Sequence, residues 1–179
     1  DRYYQTAKAA GAEVVVRVTA DCPLADPAVI DLVVAAFKEG NFDYVSNVHP
    51  PTFPDGLDIE VFSFSALERA WREAKLSSER EHVTPYIIKH PELFKMHNVK
   101  CKMQNVEVDL SSHRWTLDTS EDLEFIRRIA GELAVRGNPT DMQSVLDILA
   151  AHPDWLAVNA KYERNEGYAK SVEDDDTHQ

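Results

Sequence analysis

A β-branched run followed closely by a capped helix start is the feature that most constrains the fold of this chain. Residues 13–19 hold four valines within five positions, as expected of a buried parallel strand. After a short turn, Asp26 caps a predicted helix that has Pro27 at its first position and ends at Gly40. A strand that leads into a helix in this way is the repeating unit of an α/β fold.

The rest of the chain continues this alternation. Its pattern predicts strands at residues 43–48, 59–64 and 114–117, and a hairpin formed by 94–101 and 105–110. We therefore predict one α/β domain whose mixed, mostly parallel sheet is flanked by helices. The domain is expected to span residues 1–172, followed by a disordered acidic tail at 173–179.

The first residues of the chain suggest that it is part of a longer protein. Residues 1–11 are predicted to be the later part of a helix that ends at Gly11. A sheet of this class also normally has more strands than the sequence provides. We therefore expect this to be the back part of a longer protein, with about the first third of its domain missing.

Composition excludes several functional classes. With 31 Asp and Glu against 19 Lys and Arg, the formal net charge is −12, which disfavours nucleic acid as a partner. The sequence has no run of about 18 apolar residues, so no membrane span is expected. The two cysteines, Cys22 and Cys101, form neither a disulfide framework nor a zinc pattern. We therefore predict a cytoplasmic setting.

Two aspartates occupy equivalent places in the pattern. Asp21 and Asp118 each follow a short apolar run and each precede a helix start. Ligands of open α/β sheets gather outside the carboxyl ends of the strands, and two carboxylates there can hold Mg²⁺ together with substrate phosphates. The alternative is structural, because Asp118 could cap the following helix and Asp21 could start a turn before Pro23. The first interpretation predicts chemistry on a phosphorylated nucleotide.

Three further charged residues are candidates for substrate binding near the strands. Asp58 and Glu60 share one face of a predicted strand, where they could bind hydroxyl groups of a substrate and where Glu60 could act as a base. The alternative is a solvated edge strand. Arg17 lies within an apolar strand, where an unpaired charge is costly. It is therefore expected to reach a ligand or an acid, of which Asp43 is one candidate.

Arg80 and His82, at a predicted helix start, complete the set of candidate substrate-binding residues. The guanidinium of Arg80 could bind a phosphate or a sugar carboxylate through two parallel hydrogen bonds. His82 could move a proton near neutral pH. An Arg and a His at a helix start can also be ordinary surface residues.

Six separated blocks of the sequence carry a resemblance to a known family. They are residues 1–4, 18–24, 54–62, 78–86, 114–118 and 164–168. In this order they resemble the spore-coat polysaccharide biosynthesis branch of the cytidylyltransferases, which is related to enzymes that activate acylneuraminate and 3-deoxy-manno-octulosonate sugars. The resemblance implies a Rossmann-like nucleotide-diphospho-sugar transferase fold. It also implies that the missing N-terminal third carries the loop that binds the triphosphate.

The resemblance further implies an activity and a set of ligands. A sugar or sugar acid would attack CTP, and CMP would be transferred with release of pyrophosphate, for surface polysaccharide biosynthesis. By motif, Asp21 and Asp118 correspond to the carboxylates that bind Mg²⁺. Related enzymes are commonly dimers, so a homodimer is possible. A chain without the triphosphate loop is expected to be inactive alone.

Two other functions stay open at this point. One is a glycosyltransferase of the same broad fold that uses a nucleotide-sugar donor. The other is a non-catalytic module that binds sugar or protein on the same scaffold. The sequence does not name the sugar.

Overall fold

A computed structural model describes residues 1–177 and contains a four-stranded mixed sheet. Its strands are β1 (Val14–Arg17), β2 (Tyr44–Ser46), β3 (Glu60–Ser63) and β4 (Met96–Asn98). They are ordered β1-β3-β2-β4, with β3 antiparallel to both neighbours and β4 parallel to β2. A separate hairpin pairs β5 (Lys102–Met103) with β6 (Val106–Glu107).

The mixed sheet is confirmed, but its predicted mostly parallel character is wrong for the described strands. Strands β1 and β2 run in the same direction on either side of β3, with a helix between them in the chain. The link from β2 to β3 contains no helix. Parallel neighbours need a long crossover, usually helical, so β3 returns antiparallel and inserts between the other two.

Helices cover the sheet and supply most of the core. They are α1 (Arg2–Ala9), α2 (Pro27–Glu39), α3 (Phe64–Glu73), α4 (Ser77–His82), α5 (Pro85–Lys89), α6 (Ser120–Arg136), α7 (Met142–Ala151) and α8 (Glu166–Thr177), with a 3₁₀ turn at Pro153–Ala157. Helix α2 begins as predicted, because the side chain of Asp26 accepts a 2.7 Å hydrogen bond from the Ala28 amide. Within residues 1–177, the structure has no helix that is both long and apolar enough to cross a membrane.

Two hydrophobic clusters lie on opposite faces of the sheet. Val45 and Val61 belong to the cluster that includes residues of α2, α6 and α7, whereas Tyr44 and Phe62 belong to the one that includes residues of α1, α3 and α5. Successive side chains of a strand point to opposite faces. Each central strand therefore contributes to both cores, as in a sheet with helices on both sides.

Several local predictions differ from the structure. The valine-rich run forms β1, but it is an edge strand whose Val14 and Val16 are 46% and 43% exposed. Residues 114–117 make only an isolated bridge between Arg114 and Asp55. The segment that includes β4 pairs with the main sheet, which leaves the predicted hairpin as the short β5–β6 pair.

The acidic end of the chain is helical where disorder was expected. Residues 173–177 continue α8, and Asp175 accepts a 3.2 Å hydrogen bond from the amide of Ser78 at the start of α4. A carboxylate near a helix N-terminus is favoured by the unpaired amides and the helix dipole. The last two residues of the predicted tail, 178–179, lie outside the described part of the chain.

Candidate active site

Asp21 and Asp118 converge on one cavity. The carbonyl of Asp21, in the turn after β1, accepts hydrogen bonds from the Leu117 amide at 2.8 Å and the Thr116 hydroxyl at 3.1 Å. This contact ties the two segments together just before Asp118. Both aspartates line a cavity of about 430 Å³, and their binding of a ligand there stays a prediction.

Arg114 holds the carboxylates on this side of the cavity. Its guanidinium donates to Asp118 at 3.0 Å and to both oxygens of Asp122 at 2.9 Å, and it lies 3.5 Å from Asp55. Asp122 is fully buried. Burial alone would raise its pKa, but hydrogen bonds from Arg114, Asn159 and nearby amides lower the pKa to about 2. Asp122 is therefore a permanent anion that anchors Arg114.

Asp118 does not cap α6, so the structural alternative for this residue is wrong. The cap is Thr119, whose hydroxyl accepts from the Asp122 amide at 3.2 Å. Asp122 in turn accepts from the amides of Thr119 and Asp118 at 3.0 and 3.1 Å, which is a capping box. The Asp118 side chain is half exposed and remains available to a ligand at the cavity.

A second cavity of about 340 Å³ adjoins the first. Five residues line both cavities. Three of them, Arg17, Asp58 and His82, are predicted site residues, and the other two are Asn165 and Tyr168. Glu60 lines the second cavity. The structure thus provides two adjoining ligand spaces with a shared wall, and the predicted metal ligands lie in the larger one.

Asp58 is positioned by an arginine from the far end of the chain. One of its carboxylate oxygens accepts a hydrogen bond from Arg164, whose guanidinium also donates to the Phe53 carbonyl at 3.1 Å. Burial raises the pKa of Asp58 to about 7, although Arg164 opposes the shift. Asp55 and Asp21 are among the acids that add to the increase. This carboxyl can therefore exchange a proton near neutral pH.

Glu60 is occupied within the protein. It is 4% exposed, accepts a 2.6 Å hydrogen bond from the Tyr44 hydroxyl, and pairs with Arg17. Arg17 therefore finds its acid in Glu60 and not in Asp43, which accepts instead from the Lys95 amide at 2.8 Å. Glu60 therefore holds Arg17 at the wall that the two cavities share.

The structure separates the two candidates from α4. His82 lines both cavities, contacts the Ser171 hydroxyl at 3.0 Å and meets the ring of Tyr168 edge-on, with 5.3 Å between ring centroids. Arg80 points elsewhere and donates to the carbonyls of Trp71 and Ala74 at 3.3 Å. It thereby satisfies carbonyls at the end of α3, and the expectation that it belongs to the substrate site is corrected.

Cys22 lines the larger cavity next to Asp21, but its thiol is protected from ionisation. Burial raises the pKa of Cys22 to about 12, against a partial offset from the Thr19 hydroxyl. A thiol with that pKa is not an effective nucleophile at neutral pH.

Sequence reasoning missed the residues that connect this site to distant parts of the chain. Arg114 and Asp55 form the ionic network, and Arg164, Asn165 and Tyr168 come from the loop before α8 and its first turn. All five lie within the blocks that carry the family resemblance. Their place in these blocks was the sequence signal that could have identified them, because no local hydrophobic or capping pattern marks them as site residues.

The carboxylates present suit a hard divalent cation that also binds a phosphate ligand. Among residues 1–177, no group of three or more Asp, Glu, His or Cys side chains is arranged to hold a metal. Asp21 and Asp118 offer two carboxylates in one cavity. Mg²⁺ is usually held by one or two carboxylates, with waters and substrate phosphates completing the octahedron. The donor set fits that ion.

Comparisons with known proteins identify similar sequences. Residues 1–147 match the family model described as cytidylyltransferase. An uncharacterized protein of Methanocaldococcus jannaschii is 34% identical over 89% of this chain and 63% of its own length. The spore coat polysaccharide biosynthesis protein SpsF of Bacillus subtilis is 27% identical over 86% of this chain and 62% of its own.

A solved structure is also similar. It is a cytidylyltransferase from Leptospira borgpetersenii, 31% identical, with a TM-score of 0.76 over 87% of this chain and 63% of that chain. The chain therefore spans a little under two thirds of the length of each of these proteins.

Proposed function

Because the chain belongs to the cytidylyltransferase family, we propose that it acts in a Mg²⁺-dependent nucleotidyltransferase that transfers CMP from CTP to a sugar or sugar acid. The product would serve surface polysaccharide biosynthesis, as the name of the Bacillus subtilis relative suggests. The observation that carries the proposal is the convergence of Asp21 and Asp118 on one cavity that adjoins a second.

The proposed reaction needs positioning and charge neutralisation more than covalent chemistry. A hydroxyl oxygen of the acceptor bonds to the α-phosphorus of CTP, the bond to the bridging oxygen breaks, and pyrophosphate leaves. Asp21 and Asp118 would hold Mg²⁺, which neutralises phosphate charge when bound. Arg114 restrains Asp118 through a 3.0 Å hydrogen bond, so this carboxylate is oriented before the ligand arrives.

The acceptor would occupy the smaller cavity, and reaction would take place at the shared wall. Asp58 and His82 both line that wall, and either can take the proton released by the attacking hydroxyl. A pKa of about 7 suits Asp58 to this role. Arg17, held by Glu60, would face phosphate oxygens at the same wall.

We also propose that a further part of a longer protein completes this site. Val14 and Val16 on β1 and Val18 just after it are exposed, and a groove of about 830 Å³ runs between α1 and this strand. An exposed apolar strand edge is ordinarily covered. On this proposal residues 1–179 are inactive alone, and the reaction requires the segment that covers β1. The homodimer and the cytoplasmic setting remain predictions.

The test measures pyrophosphate release from CTP in the presence of Mg²⁺ and a panel of sugars and sugar acids. The longer parent protein is expected to release pyrophosphate with at least one acceptor, and Asp21→Asn and Asp118→Asn should each reduce the rate by about 100-fold or more. Asp31→Asn, an exposed acid on α2, is the matched control. Hydrolysis of a UDP-sugar without pyrophosphate release from CTP would contradict the proposal.

A further inference from the structure

The charged residues that line the smaller cavity have oppositely charged partners within the protein. They are two basic residues, Arg17 and Lys89, and two acidic residues, Asp58 and Glu60. Arg17 pairs with Glu60, Asp58 pairs with Arg164, and Lys89 lies 3.5 Å from Glu79. Each cation in this wall therefore has a carboxylate partner within the protein.

Two histidines, His49 and His82, also line the cavity. Burial lowers the pKa of His49, so its ring is neutral at pH 7. His82 contacts the Ser171 hydroxyl at 3.0 Å and lies 4.0 Å from a carboxylate oxygen of Glu81. An anionic substituent of the sugar would have to share Arg17 with Glu60 and the phosphate, or Lys89 with Glu79, and a buried charge without a partner of its own is costly.

The remaining lining of the cavity suits a hydroxylated ring. Val48, Pro85 and Ile88 give it an apolar side, while the phenol of Tyr168 and the amide of Asn165 stand on the wall shared with the larger cavity. Aromatic rings pack well against the apolar faces of flat or ring-shaped ligands. A few polar groups on an otherwise apolar lining are typical of small-molecule sites.

We propose that this cavity binds an uncharged polyhydroxylated sugar, and that Tyr168 and Asn165 form its wall by packing on the ring and bonding its hydroxyls. The inference rests on the proposed function, because it narrows the acceptor of that reaction from sugars and sugar acids to uncharged sugars. The matched family model ends at residue 147, so both wall residues lie beyond it.

Arg164 positions this wall. Its guanidinium contacts Asp58, lies 3.7 Å from Asp55 and donates to the Phe53 carbonyl at 3.1 Å. The next residue, Asn165, has a φ of 61°, a left-handed conformation that Asn tolerates better than most residues. These contacts fix the entry into α8, and α8 then places Tyr168 against His82.

The test uses saturation-transfer NMR with sugars that differ only in one carboxylate. The pairs are D-glucose with D-glucuronate and D-galactose with D-galacturonate, each measured with and without CTP and Mg²⁺. At least one uncharged sugar should bind about three-fold or more tighter than its acid partner. Tyr168→Ala should weaken its binding about five-fold, whereas Tyr168→Phe should retain the packing of the ring. Glu173→Ala, an exposed position on the same helix, is the control.

The outcomes separate this inference from the proposed function. Tighter binding of the acids, binding that Tyr168→Ala leaves unchanged, or no binding of any panel sugar would each overturn the inference. CTP binding that depends on Mg²⁺ is scored in the same samples. If CTP binds while the sugar results fail, only the inference is lost, whereas failure of CTP to react in the parent protein removes the proposed function itself.

Discussion

The amide of Leu117 donates a 2.8 Å hydrogen bond to the carbonyl of Asp21. Together with the hydrogen bond from the Thr116 hydroxyl to the same carbonyl, this contact joins the turn after β1 to the segment that leads into α6, where Asp118 lines the same cavity as Asp21. The candidate site is therefore built on backbone pairing between distant segments, with side chains held by an ionic network around Arg114.

Replacing Arg114 by Ala should destabilise the fold strongly. Asp122 is fully buried and receives two 2.9 Å hydrogen bonds from Arg114, so the variant leaves a buried carboxylate without its main partner. We expect a loss of about 3–5 kcal/mol in the free energy of unfolding, measured by urea denaturation. Arg128→Ala, which removes an exposed pair with Glu124, should cost under about 1 kcal/mol. Equal losses for the two variants would contradict the role given to Arg114.

Replacing Tyr44 by Phe should show how Glu60 is held. The phenol is buried and donates a 2.6 Å hydrogen bond to Glu60, so its removal should cost about 1.5–3 kcal/mol in stability. Tyr162→Phe is the matched control, because it removes a 3.0 Å phenol–carboxylate bond to Glu121 at a more exposed place. The Tyr44 variant should lose more stability than the Tyr162 variant. A greater loss of stability in the Tyr162 variant would show that the Tyr44 phenol is not a main partner of Glu60.

The free energy of unfolding should respond to the ionisation of Asp58. Burial raises the folded pKa of this carboxyl from 3.8 to about 7, so the folded state binds the proton more tightly than the unfolded state. The stability contributed by this group is therefore present below about pH 4 and is lost as pH rises to about 7. When the free energy of unfolding is measured by urea denaturation from pH 4 to 8, it should decline less steeply with pH in Asp58→Asn than in the unmodified protein. A profile that stays unchanged would show that Asp58 does not titrate in this range.

Neither cysteine should react with thiol reagents in the folded protein. Cys22 and Cys101 are both buried, and burial raises the pKa of each thiol, to about 12 for Cys22. With Ellman's reagent at pH 8, we expect reaction only on addition of urea, because the thiolate is the reactive form. Fast reaction of Cys22 in native buffer would show that the cavity next to Asp21 is more open or more polar than described.

Local signals were enough to predict the elements nearest the site. Asp26 and Pro27 identified the start of α2, and the placement of Asp21 and Asp118 after apolar runs predicted that they would share one ligand edge. These signals are local because capping and turn chemistry depend on a few adjacent residues.

Features that depend on pairing between distant segments could not be predicted in the same way. The insertion of β3 between β1 and β2 is set by packing on both faces of the sheet, which no local pattern encodes. Arg164 reaches Asp58 from beyond α7, and Arg17 selects Glu60 across the strand pair β1–β3. Charged residues of this kind have several possible partners until the register is known.

The most direct test of the proposed metal site is a titration of the longer parent protein with Mn²⁺, a paramagnetic substitute for Mg²⁺, followed by electron paramagnetic resonance in the presence of CTP. We expect Asp21→Asn and Asp118→Asn each to weaken Mn²⁺ binding by about ten-fold or more, and Asp31→Asn to bind Mn²⁺ like the unmodified protein. Equal binding by all four proteins would contradict the claim that Asp21 and Asp118 together hold a divalent cation.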